Sequence, residues 1–582
     1  MLNSKSDKIT DPARFFLEPA NPAHRRYEAL RAYFVEGLPS AEVAQRFGYT
    51  PGSFRVLAHQ FRQNPGREFF VPSKRGPRCA PKKDAVRQRV IALRKQNLSI
   101  YDISRALRAD GHPLSAVSVS SLLKQEGFAR LPRRRDDERP PGARPEAAAV
   151  ADVRQLRLEP RQFHTRFGGL FLFVPDLVQI GFDQLMTQAG LPGSQMIPPG
   201  HAMRSLLGLK LFAAARHSHV MSRVFDEGLA LFAGLNAIPK RAFLTEYSCR
   251  IDPACHPRLQ QRWFDGMGRL GLPRGTSFDL DFHTIPFHGE DALVEKHYVS
   301  RRSRRQKGVL AFLAQDADQR VFCYANADLR KDQQNDEVLR FVEYWQARTG
   351  KLPEELIFDS RLTTFANLDR LNQMGIGFIT LRRRSADLLR EMYARPRSAW
   401  RQIELKSVAR IYRTPRILDQ MTTLKQYQGP VRQIAVADLG HEQPTIVLTN
   451  QLRRSPADLI GRYARRMLIE NNIQDGIEFF HIDALSSAVP LKVNCDLQLT
   501  LMGSSLYRRL GRQVGHGYET AKSRHLFRDF VEASAEVDLG ERDIQVRFQK
   551  RAHNPLLVAA GFGNLHPRVP WLGGRRLQLL FG

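Results

Sequence analysis

The chain has 582 residues, 42% of them hydrophobic and 25% charged, a composition that excludes a fully disordered, collagenous or disulfide-built protein and predicts several domains. Lys and Arg number 89 against 59 Asp and Glu, giving a formal charge of +30 and an isoelectric point near 10.4. Such an excess speaks to partners, nucleic-acid phosphates first, rather than to fold. Five cysteines, at 79, 249, 255, 323 and 495, are too sparse for a disulfide framework and suit a reducing compartment. No apolar run approaches the ~18 residues of a membrane span, and MLNSKSDKITDPARFF holds no apolar signal core. A cytoplasmic, nucleoid-associated protein without a membrane partner is expected.

Residues 1–150 carry 28 Lys and Arg against 15 Asp and Glu. Two helix-turn-helix patterns lie within them. In the first (residues 1–78) a helix over 25–35 stops at Gly37, Ser40 caps a second helix that buries Val43, Ala44 and Phe47, and Gly48 turns the chain. Thr50 then caps a third helix with Pro51 at its first position, exposing Ser53, Arg55, His59 and Arg62 as DNA-contacting side chains. In the second (79–130), Ser99 caps a helix containing Ile103 and Leu107, and a helix over 115–126 presents Ser118, Ser121, Lys124 and Gln125. A short helix of this kind fits the major groove while basic neighbours hold phosphates. A plain helical bundle is the alternative for either pattern alone; two in tandem on a basic segment favour double-stranded DNA. The basic, Pro-rich stretches 71–84 and 131–149 read as linkers, the second within a linker region 131–154.

Residues 155–275 have apolar residues at helical spacing and no evident chemistry; Cys249, Cys255 and His256 lack a fourth partner for zinc. From 276 the pattern turns to strands. TSFDLDFHTIPFHG alternates, with Phe278, Leu280 and Phe282 on one face and Asp279, Asp281 and His283 on the other. Strands over 308–316 and 320–329, a helix over 332–350, a strand ending at Asp359, a helix over 363–375 and a strand over 376–384 follow, then β-rich segments within 385–450 and a helix containing Glu470. This is the element order of an RNase H-like core (276–500) with a β-rich insertion, in a multidomain α/β chain. Asp281, Asp359 and Glu470, separated by 78 and 111 residues, fall where strand ends and the late helix form a crevice. Three converging carboxylates suit Mg²⁺, or Mn²⁺, and two such ions can drive in-line phosphoryl displacement. Asp279 shares the face of Asp281, so either could be the first ligand. Asp359 as a helix cap and Glu470 as a surface partner of Arg466 are the structural alternatives. The charge runs 301–307 and 382–384 are candidate DNA-facing surfaces.

Tyr463, Arg466, Glu470 and Ile477 share one face of that helix by spacing, so Arg466 could hold a DNA phosphate and Tyr463 stack on a base. At these residues the chain resembles bacterial insertion-sequence transposases of the DDE superfamily, in the cut-and-paste branch with an all-β insertion, whose signature is Tyr-x2-Arg-x3-Glu-x6-Lys. Ile477 stands where that signature has Lys, which puts one DNA-end contact in doubt. The strands DFHTIP and LIFDS resemble those carrying the two Asp. The resemblance covers about residues 275–500 and implies a catalytic and metal-binding triad of Asp281, Asp359 and Glu470. It further implies cleavage and strand transfer at transposon ends, a homodimer on paired ends, and by analogy a dimerisation role for 501–582. A transposase-derived DNA-binding regulator without catalysis is the rival. A nuclease on the same fold would explain the acids, but neither the two DNA-reading segments nor the insertion.

Overall fold

The computed structural model describes residues 12–19, 21–70, 81–96, 98–129, 131, 156–272, 274–288, 294–299, 304–330, 332–405, 413–440, 442–484 and 489–582. The basic stretches 71–80 and 132–149, residues 301–303 and most of the segment SVARIYRTP (407–412 in particular) lie outside them. The chain divides into two compact units, Met1–Ala85 and Val86–Gly582.

The first unit is built on α1 (Pro22–Phe34), α2 (Ser40–Arg46) and α3 (Pro51–Gln63). Asn21 accepts a hydrogen bond from the His24 amide at the start of α1, and Thr50 accepts one from the Ser53 amide at the start of α3, with Pro51 at its first position. Gly48 turns the chain between α2 and α3 at φ 68, a left-handed conformation open to glycine without strain. Ser40 does not cap: it is the first residue of α2, preceded by Pro39, and makes no capping bond. Val43, Ala44 and Phe47 are buried, joining Ala29, Leu30, Ala32, Phe54 and Ala58 in one small core.

The second unit begins with α4 (Arg87–Lys95), α5 (Ile100–Ala109) and α6 (Ala116–Gln125). Ser99 and Asp102 form a reciprocal capping box at the start of α5, and Ser115 caps α6. Val90, Ile103, Leu107, Val119 and Leu122 close a second three-helix core.

Residues 156–272 are helical apart from strand β1 (Arg161–Thr165). A large sheet follows, from β2 (Ser277–Pro286), β3 (Lys296–Val299), β4 (Arg304–Asp316) and β5 (Val321–Asn326), then helix α7 (Glu337–Thr349), β6 (Glu355–Ile357), helix α8 (Phe365–Gln373) and β7 (Gly377–Leu381). Its central strands run β5-β4-β2-β6-β7. β5, β4 and β2 pair antiparallel as a meander, while β2, β6 and β7 are parallel. Parallel neighbours need a crossover, and α7 and α8 supply it. This arrangement is consistent with an RNase H-like fold. Phe278 and Leu280 on β2 are fully buried, and Phe278 stacks edge-on against Phe341 and Trp345 of α7.

The β-rich insertion contributes β8 (Arg401–Gln402), β9 (Arg416–Thr423), β10 (Pro430–Ala437) and β11 (Thr445–Thr449), which continue the same sheet: β7 pairs antiparallel with β11, then β10, β9 and β8 follow. Where one long helix was expected around Glu470, two stand in tandem, α9 (Pro456–Arg465) and α10 (Met467–Glu478). Leu459 and Ile460 of α9 pack on Ile357 and Ile379 of β6 and β7. The buried helix α11 (Pro490–Val514) leads to β12 (Ala535–Leu539), β13 (Asp543–Phe548), β14 (Arg568–Val569) and β15 (Arg575–Phe581). These form a second mixed sheet with β1, in the order β1-β12-β13-β15-β14. Among the described residues no single helix is long and apolar enough to cross a membrane.

Phe54 is fully buried in a core of only eight residues. Phe54→Ala is expected to cost about 3–5 kcal/mol and unfold the first unit. Limited proteolysis should then cut rapidly within residues 21–70 while the second unit keeps its resistance.

Candidate active site

The register of the parallel pair sets the site. Ser277, Phe278 and Asp279 of β2 lie beside Glu355, Leu356 and Ile357 of β6. The pairing ends at Asp279 and Ile357; Asp281 follows two residues further along β2, and Asp359 two residues beyond the end of β6. Asp359 thus stands at the carboxyl end of β6, whereas Asp281 lies midway along β2, just past its stretch paired with β6.

The alternation along β2 leaves Asp279 and Asp281 on one face, but their surroundings differ sharply. Asp279 is 2% exposed and its Oδ1 receives a hydrogen bond of 2.8 Å from Arg462 Nη1. Arg462, on α9, also donates to Glu355 Oε2 (3.0 Å) and Ser277 Oγ (2.8 Å). Glu355 takes further bonds from Gln451 and Arg454. Burial pushes the Asp279 carboxyl above its usual range, against the pull of Arg462. Burial acts the same way on Glu355, but its hydrogen bonds and the two arginine charges outweigh it and hold that carboxyl low. Asp279 is thus consumed in a lock fastening α9 to β2 and β6, which leaves Asp281 to face the crevice.

One turn further on, Arg466 sits between α9 and α10, 7% exposed. The helix tightens there: the Arg466 amide bonds to the Tyr463 carbonyl and the Ile469 amide to the Arg466 carbonyl, both three residues apart. Arg466 Nη1 lies 3.2 Å from Asp281 Oδ2, and Nη2 lies 3.7 Å from Glu470 Oε1. Burial alone would push the guanidinium down, but Asp281 foremost, then Tyr463, Asp359 and Glu470, hold it well above its ordinary value. Asp281 is raised by burial, with Arg466 pulling the other way and Glu470 adding to the rise. The Tyr463 hydroxyl is pushed up to about 12 by burial, so it stays protonated, and the Arg466 guanidinium lies 5.7 Å from its ring centre. The fold therefore brings Asp281, Asp359, Glu470, Tyr463 and Arg466 together around one buried cation. Arg466 is turned inward onto the acids in this state, instead of outward to a phosphate. Ile477 is half-buried against the main hydrophobic core.

Two residues missed in the sequence belong to this region. Arg462 was hidden within a basic run, and its burial follows from lying one turn before Arg466. Asp483, just beyond α10, meets His283 Nε2 at 2.6 Å; no spacing rule links positions 200 residues apart.

Three carboxylates are the right donors for a hard divalent cation. As they stand they do not fit one, because the guanidinium of Arg466 occupies the space between Asp281 and Glu470. Among the described residues no group of three or more His, Cys, Asp or Glu is placed to hold a metal ion. Cys255 instead donates to the Gly190 carbonyl, and His256 is buried beside it in the sequence.

In the helical units Ser53, Arg55, His59 and Arg62 are all exposed on α3. Arg62 leans on the Tyr33 and Phe34 rings and donates to the Tyr33 hydroxyl. On α6, Lys124 and Gln125 are exposed, while Ser118 and Ser121 are half-buried and Ser118 is bonded to Ser115. The exposed ridge of α6 is Val117, Ser120 and Lys124, of which Val117 is 80% exposed. Its spacing of three and four residues is a helix face with an apolar member, which polarity alone does not single out.

Arg462→Ala leaves Asp279 and Glu355 buried without their shared cation. The loss expected at neutral pH is about 3–5 kcal/mol. With Arg462 gone both folded carboxyls rise, so the folded state takes up protons more readily than the unfolded chain as pH falls. The melting-temperature gap between wild type and variant should accordingly be widest near neutral pH and narrow toward about pH 5.

No family model matches the chain, and no curated protein matches it. Among solved structures there is a weak, partial match to a piggyBac transposase in a synaptic complex with hairpin DNA: 11% identity and a TM-score of 0.31, over 64% of this chain and 88% of that one.

Proposed function

We propose that this protein is a DNA transposase: it binds the terminal repeats of an insertion sequence through its two helix-turn-helix units and cleaves and transfers DNA strands at Asp281, Asp359 and Glu470. The observation that carries the reading is the Arg466 guanidinium, which lies 3.2 Å from Asp281 Oδ2 and 3.7 Å from Glu470 Oε1 and is held above its ordinary value by Asp359 as well. A chain of charge +30 suits a polyanionic substrate. Mg²⁺, or Mn²⁺ in its place, is the cofactor proposed with this activity, which would require the Arg466 guanidinium to leave the space between Asp281 and Glu470, and a homodimer is the assembly proposed for pairing two ends. Tyr463 and Arg466 border the acids as DNA-end contacts in this reading, and Lys124 is a phosphate contact on α6. The cell compartment proposed is the cytoplasm.

A second reading has a specific observation in its favour. Arg466 neutralises the acids from within, and Ile477 packs where a cation was expected. Both features suit a DNA-binding regulator that no longer cuts.

One assay separates the two. Duplexes carrying the DNA that flanks the gene are incubated with the full chain in Mg²⁺, in Mn²⁺ and in chelator. The transposase reading expects metal-dependent nicking at the repeat ends. It further expects Asp281→Asn, Asp359→Asn and Glu470→Gln to fall to the chelator background while end binding persists. Binding without nicking in either metal leaves the regulator, and nicking by the three variants at the wild-type rate overturns the site. Lys124→Ala should weaken binding to all duplexes alike and lower the slope of log affinity against log salt by about one.

A further inference from the structure

Helices α3 and α6 carry one pattern in two separate small cores. Each is counted here from its capping residue, Thr50 or Ser115. The third residue is a serine, Ser53 or Ser118, whose amide donates to the cap hydroxyl. The fourth, Phe54 or Val119, is fully buried, and the eighth, Ala58 or Leu123, is buried as well. At 3.6 residues per turn these positions fix the inner face of each helix, and the second, fifth, sixth and ninth fall on the opposite one.

On that outer face stand Arg55, Val56 and His59 of α3, and Val117, Ser120 and Lys124 of α6, all exposed. Each helix thus turns one valine to solvent, Val56 at 56% and Val117 at 80% exposure. A lone exposed aliphatic side chain is ordinary on a protein surface. Here, apart from Pro51 in the first turn, each valine is the only exposed apolar side chain of its helix. The two stand at the sixth and second positions of the common count, one turn apart on the same face. The polar groups beside them are partly engaged within the helix. Ser53 Oγ donates to the Thr50 carbonyl at 3.0 Å, Ser118 Oγ accepts from Ser115 Oγ at 3.0 Å, and Arg55 Nε donates to the Pro51 carbonyl at 3.1 Å.

Among the edges that the four bases show in the major groove, only thymine carries an apolar group, its C5 methyl; the rest are donors and acceptors. A valine in the first two turns of a helix laid in that groove matches the methyl and leaves any hydrogen-bonding edge unpaired. Arg55 and Lys124 on the same faces supply the positive charge that a phosphate backbone calls for. We propose that both helices read thymine, Val56 and Val117 each packing on the C5 methyl of one thymine in the major groove of the bound DNA. The proposal rests on the DNA-binding part of the reading above and is independent of cleavage.

The test starts from random-sequence duplexes selected for binding to the full chain. Thymines of the enriched duplex are then replaced one at a time by uracil, which removes the methyl and keeps the hydrogen-bonding edge. Wild type should lose about fourfold in affinity at one thymine under each helix, the worth of one buried methyl group. Val117→Ser should erase the penalty at one of these positions and Val56→Ser at the other. Both variants should melt with the wild type, because the two side chains lie outside the small cores. An enriched sequence without a uracil penalty, or a penalty that both valine variants keep, overturns the proposal and leaves DNA reading in place. If no sequence is enriched, the proposal and the recognition of terminal repeats fall together.

Discussion

Two arginines one helical turn apart divide the negative charge of the polar sheet face between them. Arg462 gathers Asp279, Glu355 and Ser277, and Arg466 gathers Asp281, Asp359 and Glu470. Asp279 and Glu355 could not be held in so dry a place without their cation, because an unpaired buried charge costs several kcal/mol even after relaxation. The first arginine makes a closed arrangement with every hydrogen bond short and its acids buried. The second makes an open one: Glu470 is 54% exposed at 3.7 Å, and Arg466 Nε has no partner. The same residue type four positions on thus serves rigidity in one place and leaves room for rearrangement in the other.

The tightening of the helix at Arg466 follows from this division. An unbroken α-helix would continue the ladder of four-residue hydrogen bonds through position 466. The three-residue bonds seen there draw the chain in just where Arg466 must reach down to Leu280 and Asp281 in the middle of β2. Short 3₁₀ segments inside helices are common at functional hinges. Here the segment joins a helix fixed by a buried ion-pair network to one whose leading acid is half in solvent.

Much of this was legible in the residues. Alternation along TSFDLDFHTIPF assigned β2 and its two faces, because one face had to bury Phe278 and Leu280. The β-β-β-α-β-α-β succession implied a meander followed by crossovers, and the observed strand order agrees. Capping at Thr50 and Ser99 follows from local geometry and needed no tertiary knowledge. What sequence could not separate was Asp279 from Asp281: period two puts both on one face, and only Arg462, arriving from 183 residues away, distinguishes them. Nor does spacing tell whether an arginine beside an acid points to solvent or inward, so the inward turn of Arg466 was not foreseeable. Ser118 and Ser121 are polar yet half-buried, whereas the exposed ridge of α6 includes Val117, because packing and not polarity decides which side chains face out.

The insertion's strands have a consequence for solubility. Because β11 pairs with β7, the inner sheet does not end at β7 but runs out through β10 and β9 to β8, a strand of only two exposed residues, Arg401 and Gln402. A long bare strand with open amides and carbonyls invites another chain to add to it, and a short charged terminus discourages that. Excising residues 385–450 would therefore not return a minimal core. It would strip the cover from β7, whose Phe378 and Ile379 are wholly buried, and leave a sticky flank prone to stacking into aggregates.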